Sequence, residues 1–161
     1  MSKATKQPKE TDEIKKLLTS YGTYQRRIDN TEERLAFLDV CITQCLTGMP
    51  GGGGDGSSKQ ERYLIKKEEL QEKLDNMYEE ENRKREEIEG LIEQMENPDE
   101  QTAIEMHYLD GAKWKAVSAA LYGNEPDYDI QEERYLKRTF KIHGSALQTL
   151  ARIYKAGEVK T

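Results

Sequence analysis

Basic side chains are concentrated near the C-terminal end of the chain, at a spacing that places them on one face of a helix. Arg134, Lys137, Arg138 and Lys141 lie within two turns, and Arg152 returns to the same side three turns later. Between residue 134 and the end there are seven basic residues and one acidic residue, whereas a solvated face usually mixes both signs. Because Arg and Lys bind phosphate and Arg can also read guanine, the pattern predicts contact with nucleic acid.

The other residue types that carry out chemistry do not form a recognisable site. Cys41 and Cys45 are four residues apart, and the two histidines, His107 and His143, are distant in sequence from them. A metal would need further ligands, so we interpret the cysteines as small apolar residues on a helix face. No Ser-His-Asp, paired-carboxylate or metal-binding spacing is visible. The sequence therefore predicts a protein that is not an enzyme and needs no cofactor or metal.

Three helices are predicted between residues 97 and 156, and the basic residues lie on the last of them. Asn97 and Pro98 are a typical helix start, and the Asp110-Gly111 pair ends that helix near residue 109. A short helix should span about 112–122 and the last helix about 130–156.

A short helix followed by a long basic one is the plan of a helix-turn-helix that binds double-stranded DNA. In this interpretation Arg138 and Lys141 contact the bases or lie close to them. Lys113 and Lys115 on the short helix bind backbone phosphates and fix the register. Arg134 and Lys137 complete the predicted DNA-binding face.

Apolar residues on the last two helices predict the core of this motif. They recur at helical spacing on one stripe of each helix. The predicted core residues are Trp114, Val117, Leu121, Leu136, Phe140, His143 and Leu147. Because Trp114 shares its stripe with Val117 and Leu121, we interpret it as a core residue and not as a stacking platform. His143 is interpreted as a satisfied near-core histidine.

Residues 10–96 predict two long helices with coiled-coil patterning. On the first, Ile14, Tyr21, Ile28, Leu35 and Ile42 form one seam and Leu17, Tyr24, Thr31, Leu38 and Cys45 the other. The second, over about 59–96, repeats the pattern with interruptions at Lys67, Glu81 and Lys84. The glycine-rich segment 48–58 is a linker that would let the helices fold back as an antiparallel hairpin. Pairing of each helix with a copy in another chain is the alternative, and we expect a homodimer or packing on the C-terminal helices.

The composition places the protein outside the membrane. The net charge is −6 with 35% charged residues, and no run of 18 apolar residues exists. The first nine residues have no apolar stretch and are expected to be a disordered tail, as are residues 157–161. The fold class expected is all-α, a coiled-coil hairpin followed by a helix-turn-helix, in a cytoplasmic protein.

The stretches "YLDGAKWKAVSAALYG" and "YLKRTFKIHGSALQTL" resemble the C-terminal domain of phage late-gene transcriptional activators of the RinA and ArpU type. That domain is similar to the helix-turn-helix in region four of bacterial sigma factors. The resemblance covers roughly residues 88–155. It implies a phage-encoded, sequence-specific DNA-binding regulator acting in the bacterial host cytoplasm, with a possible contact to host RNA polymerase.

Two other functions fit parts of the pattern. A small terminase subunit, which recognises DNA for phage packaging, also combines a helix-turn-helix with helical oligomerisation, but its DNA-binding unit usually comes first in the chain. A coiled-coil adaptor that binds protein through its C-terminal helices would show no salt-dependent affinity for DNA.

Overall fold

The computed structural model describes residues 10–47 and 56–160, and these residues are helical with short connections and no strand. The all-α class is therefore confirmed for the described chain. The elements are α1 (Glu10–Thr47), α2 (Gly56–Glu93), α3 (Pro98–Ile104), a π-helical turn (Glu105–Leu109), α4 (Trp114–Tyr122) and α5 (Glu132–Lys160).

The ends of the helices follow the sequence signals closely, with three differences. The short helix begins at Trp114, two residues later than predicted. The second long helix begins and ends three residues earlier than the predicted span 59–96. The last helix begins two residues later than predicted and continues to Lys160, so the tail expected at 157–161 is helical through Lys160. The tail predicted at 1–9 and most of the linker predicted at 48–58 lie outside the described residues.

The start of α3 is built as the sequence predicts. The Asn97 side-chain Oδ1 accepts hydrogen bonds from the backbone N–H groups of Asp99 (2.9 Å) and Glu100 (3.3 Å), and Pro98 occupies the first helical position. After Ile104 the helix widens into the π-helical turn. Gly111 then adopts a left-handed conformation with φ of 73°, which glycine tolerates without steric cost, and the chain turns toward α4.

The chain divides into two compact units, and each has its own core. Unit 1 consists of the described residues within Met1–Gly22 and Lys84–Thr161. Unit 2 consists of the described residues within Thr23–Arg83. The domain boundary predicted at residue 97 thus falls inside unit 1.

The core of unit 1 combines α5 with the first turns of α1 and the last turns of α2. Its buried residues are Ile14, Leu18, Tyr21, Ile88, Ile92, Met95, Ile104, Leu109, Ala146, Leu147, Leu150 and Ala151. The segment 97–156 therefore does not bury its apolar side chains alone. In this unit the long helices α1 and α2 pack on the C-terminal helix α5. This is one of the two arrangements expected for them from the sequence.

Unit 2 is formed by the remaining lengths of α1 and α2, around a small core of Ile28, Leu74 and Met77. Thr31, which interrupts the predicted seam, is buried because its hydroxyl donates to the carbonyl of Arg27 at 2.8 Å and lies 3.8 Å from the Met77 sulfur. Further along, Lys67 Nζ lies 2.8 Å from Asp39 Oδ1. Both cysteines are half-buried free thiols.

Candidate nucleic-acid interface

The four basic residues predicted on the last helix lie on one exposed face of α5. Arg134, Lys137, Arg138 and Lys141 are all solvent-exposed and occupy positions i, i+3, i+4 and i+7. The buried positions of this half of the helix, Tyr135 and Thr139, point to the other side. The helix therefore presents a continuous basic face away from the unit 1 core.

None of these four side chains forms an ion pair with another described residue, and the same is true of Lys113 and Lys115. Three cations of α2 do form such pairs: Lys67 with Asp39, Arg83 with Glu80 and Arg85 with Glu89. The donors on α4 and α5 are thus free to bind an external anion.

Helix α4 packs on α5 through aromatic side chains. The Trp114 ring lies 4.5 Å from the His143 ring and 5.7 Å from the Phe140 ring, measured between centroids. At the other end of α4, the Tyr122 ring lies 5.0 Å from that of Tyr135. These contacts fix the start of α4 beside the middle of α5.

The two lysines of α4 stand at this fixed helix start. Lys113 is the N-cap residue and Lys115 follows Trp114, and both side chains are exposed. The Lys113 side chain makes no capping hydrogen bond. A helix N-terminus without a side-chain cap and with two flanking cations attracts anions through its N–H groups and its dipole.

Both histidines of the chain belong to one cluster with Tyr108 and Trp114. His143 Nε2 and the Tyr108 hydroxyl are 2.7 Å apart, and His107 stacks on Trp114 with ring centroids 3.9 Å apart. His107 Nδ1 lies 2.9 Å from the carbonyl oxygen of Ala112, across the turn that leads into α4. The cluster joins the π-helical turn to both α4 and α5.

Burial, with smaller contributions from the charges of His107 and Lys15, lowers the pKa of His143 to about 4. The imidazole is therefore neutral at neutral pH and can accept a hydrogen bond from Tyr108, whose own pKa is raised by burial. This arrangement agrees with the interpretation of His143 as a satisfied near-core residue.

The predicted core residues of the motif differ in how deeply they are buried. Val117 and Leu147 are fully buried, and Trp114, Leu121, Leu136 and His143 are partly buried. Phe140 is 45% exposed and contacts the edge of Trp114, so its assignment to the core is wrong. The buried stripe in this half of α5 runs through Tyr135 and Thr139, one position before the predicted Leu136 and Phe140.

Tyr135 and Thr139 were missed because their side chains are polar. Each hydroxyl has a partner that permits burial: Tyr135 donates to Asp127 Oδ1 at 2.6 Å, and Thr139 donates to the carbonyl of Tyr135 at 2.9 Å. A sequence signal did exist, since residues 135, 139, 143, 146 and 150 follow helical spacing once Tyr and Thr are counted as able to be buried.

The connection between α4 and α5 is a series of turns and not an open loop. Backbone hydrogen bonds link Gly123 to Ala119, Tyr128 to Glu125 and Gln131 to Asp127. The Tyr128 ring lies 5.8 Å from that of Tyr135. The hydrogen bond to Asp127, followed by burial, raises the pKa of Tyr135. The acidic connection is thereby held against the first turn of α5.

A metal site and a membrane-spanning helix are both absent from the described ranges. There, no group of three His, Cys, Asp or Glu side chains could hold a metal ion. No helix within 10–47 or 56–160 combines the length and apolar character needed to cross a bilayer.

Comparison with known proteins gives no match, whether to a family model, to a curated protein or to a solved structure.

Proposed function

We propose that the chain is a sequence-specific DNA-binding transcriptional regulator that uses α4 and α5 as a helix-turn-helix. The observation that supports this most strongly is the set of six exposed, unpaired cations on the two helices, in a protein of net charge −6. Three cations of α2, namely Lys67, Arg83 and Arg85, instead pair with carboxylates. Unpaired cations such as the four on the exposed face of α5 are suited to the regularly spaced phosphates of a duplex.

The residues have separate roles in this proposal. The first half of α5 enters the major groove, where Arg138 and Lys141 read base edges and Arg134 and Lys137 bind phosphates. Lys113 and Lys115 bind phosphate together with the N–H groups at the start of α4. Partly buried Trp114 supports α4 and does not stack on bases.

The two acids at the start of α5 lie differently with respect to the basic face. Glu132 and Glu133 lie in the first turn, where they stabilise the helix dipole. At 100° per residue, Glu132 is roughly 160° and Glu133 roughly 100° around the helix from Arg134. Glu132 therefore points away from the basic face, whereas Glu133 lies roughly 40° from Lys137, at the edge of that face.

The long helices would serve oligomerisation. The antiparallel contacts within unit 2 favour a coiled-coil hairpin, and we propose that the protein acts as a homodimer, because helix-turn-helix dimers read two half-sites. The resemblance to phage late-gene activators supports activation of transcription in the cytoplasm of a bacterial host, with RNA polymerase as a further partner.

Charge reversal on α5 tests the proposal. The double variant Arg138→Glu, Lys141→Glu should bind a duplex selected from a randomised library by the wild-type protein about 100-fold more weakly, since it loses two DNA contacts and adds repulsion. Binding would be measured by fluorescence anisotropy.

The matched control is Arg62→Glu, Lys66→Glu, which makes the same change of charge at exposed positions of α2. It should bind with nearly wild-type affinity. Equal affinity of the α5 variant and the wild-type protein would refute the assignment of this face.

A further inference from the structure

The ring of Tyr135 lies at the centre of an aromatic and cationic cluster at the start of α5. It is 4% exposed, and Tyr122 and Tyr128 contact it from α4 and from the connection. The guanidinium carbons of Arg134 and Arg138 lie 5.9 Å and 5.3 Å from the ring centroid. These distances are within the range of a cation–π interaction.

The Tyr135 ring is itself fixed at its far end. Its hydroxyl donates to Asp127 Oδ1, while the Asp127 carbonyl accepts hydrogen bonds from the N–H groups of Ile130 (3.1 Å) and Gln131 (2.9 Å). Asp127 therefore closes the turn before α5 and anchors the tyrosine on which the two arginines lie.

The arginines lie on this ring although carboxylates are close by in sequence. Five carboxylates lie within the thirteen residues before Arg138, namely Glu125, Asp127, Asp129, Glu132 and Glu133. Neither guanidinium pairs with any described carboxylate. A cation over an aromatic face keeps its N–H donors available, because those donors point outward in the guanidinium plane. A salt bridge would instead occupy them.

We propose that Tyr135 is a positioning residue of the DNA-binding face, which holds Arg134 and Arg138 in place before the duplex arrives. This inference rests on the proposed function. Long side chains lose rotamer freedom when they bind, so a guanidinium that is already restrained binds at lower entropic cost. This benefit should be larger for base recognition than for phosphate contact. Two hydrogen bonds to a base require one orientation of the guanidinium, whereas a phosphate can be bound in several orientations.

Two variants separate the ring from the hydroxyl. Tyr135→Leu removes the ring under the arginines, and Tyr135→Phe keeps it while losing the hydrogen bond to Asp127. Tyr78→Phe in unit 2 also removes a hydrogen bond between a tyrosine and a carboxylate, that of Glu32, and serves as the matched control.

The first readout needs no DNA. In the free protein, the Nε–Hε signal of Arg138 should be shifted upfield by the aromatic ring in NMR spectra. The shift should persist in Tyr135→Phe and in Tyr78→Phe and vanish in Tyr135→Leu. Persistence of the shift in folded Tyr135→Leu would overturn the positioning role.

The second readout is the ratio of affinities for the selected duplex and a random duplex. Tyr135→Leu should lower this ratio about tenfold while affinity for the random duplex changes little. Tyr135→Phe should stay near wild type. A purely structural role would weaken both affinities in parallel, and that result would contradict the inference. If the wild-type protein bound neither duplex, the proposed function would be wrong, and so would the role of Tyr135 in DNA binding. The NMR shift would still report whether the Tyr135 ring holds Arg138.

Discussion

The imidazole of His143 shows how a single side chain can couple packing to pH. It lies among Tyr108, Trp114 and His107, where burial favours its neutral form and lowers its pKa to about 4. The other charged group that acts on it is Lys15 of α1, whose positive charge lowers the pKa in the same direction. Protonation of His143 therefore opposes the packing of α4 on α5.

Acidification should destabilise unit 1 through this residue. Between pH 6.5 and 4 the unfolded chain binds a proton at His143 that the native protein does not, so the stability falls as the pH falls. With allowance for partial exposure, the loss should be roughly 1–2 kcal/mol over this interval. Urea unfolding of the wild-type protein and His143→Gln at several pH values would measure it. Identical pH profiles for the two proteins would contradict the assignment.

Between elements, the contact of α3 with α5 depends on one buried carboxylate. Glu100 is 7% exposed and accepts hydrogen bonds from Ser145 (2.5 Å) and Thr149 (3.1 Å). A buried carboxylate is tolerated only when its oxygens are satisfied. The two hydroxyls of α5 therefore fix its register against the start of α3.

The double variant Ser145→Ala, Thr149→Ala should lower the free energy of unfolding by about 2 kcal/mol, because the buried Glu100 side chain would lose both hydrogen-bond donors. Ser118→Ala in α4 is the control, since the Ser118 hydroxyl is buried without a hydrogen-bond partner among the described residues and its removal should leave stability unchanged or raise it. Thermal unfolding followed by circular dichroism distinguishes the two. A stability of the double variant equal to that of Ser118→Ala would show that the carboxylate does not need these donors.

The helices themselves could be predicted from sequence because their signals are local. Asn97 and Pro98 start α3 by capping chemistry, and Asp110-Gly111 ends the helical segment because glycine accepts a positive φ. The buried face of α5 was misplaced by one position in its first half, since hydroxyls at Tyr135 and Thr139 become compatible with burial only through partners that the pattern does not reveal.

The grouping of the helices was also beyond prediction from periodicity. A heptad pattern shows that Ile14 and Tyr21 pack against apolar side chains. It does not show that α5 contributes some of those side chains. The basic residues of the candidate site were identified from their spacing. The tyrosine beneath Arg134 and Arg138 was not, because a cation–π contact has no simple signature in sequence.

At the scale of the whole molecule, charge is divided along the chain. Between Lys59 and Asp99 there are fourteen acidic and eight basic residues, whereas α5 is basic after Glu133. An acidic protein with one local basic face should bind DNA mainly at that face, since the acidic residues between Lys59 and Asp99 repel phosphate. Its affinity should therefore depend strongly on salt and on the few residues of that face.

The most direct test of the central claim is the salt dependence of binding to a duplex selected by the wild-type protein. If the six cations contact four to six phosphates, the logarithm of the binding constant should fall against the logarithm of salt concentration with a slope of about −4 to −5. Affinity for a random duplex should be weaker at every salt concentration. No binding at low salt, or equal affinity for the two duplexes, would contradict the account of α4 and α5 as a sequence-specific DNA-binding unit.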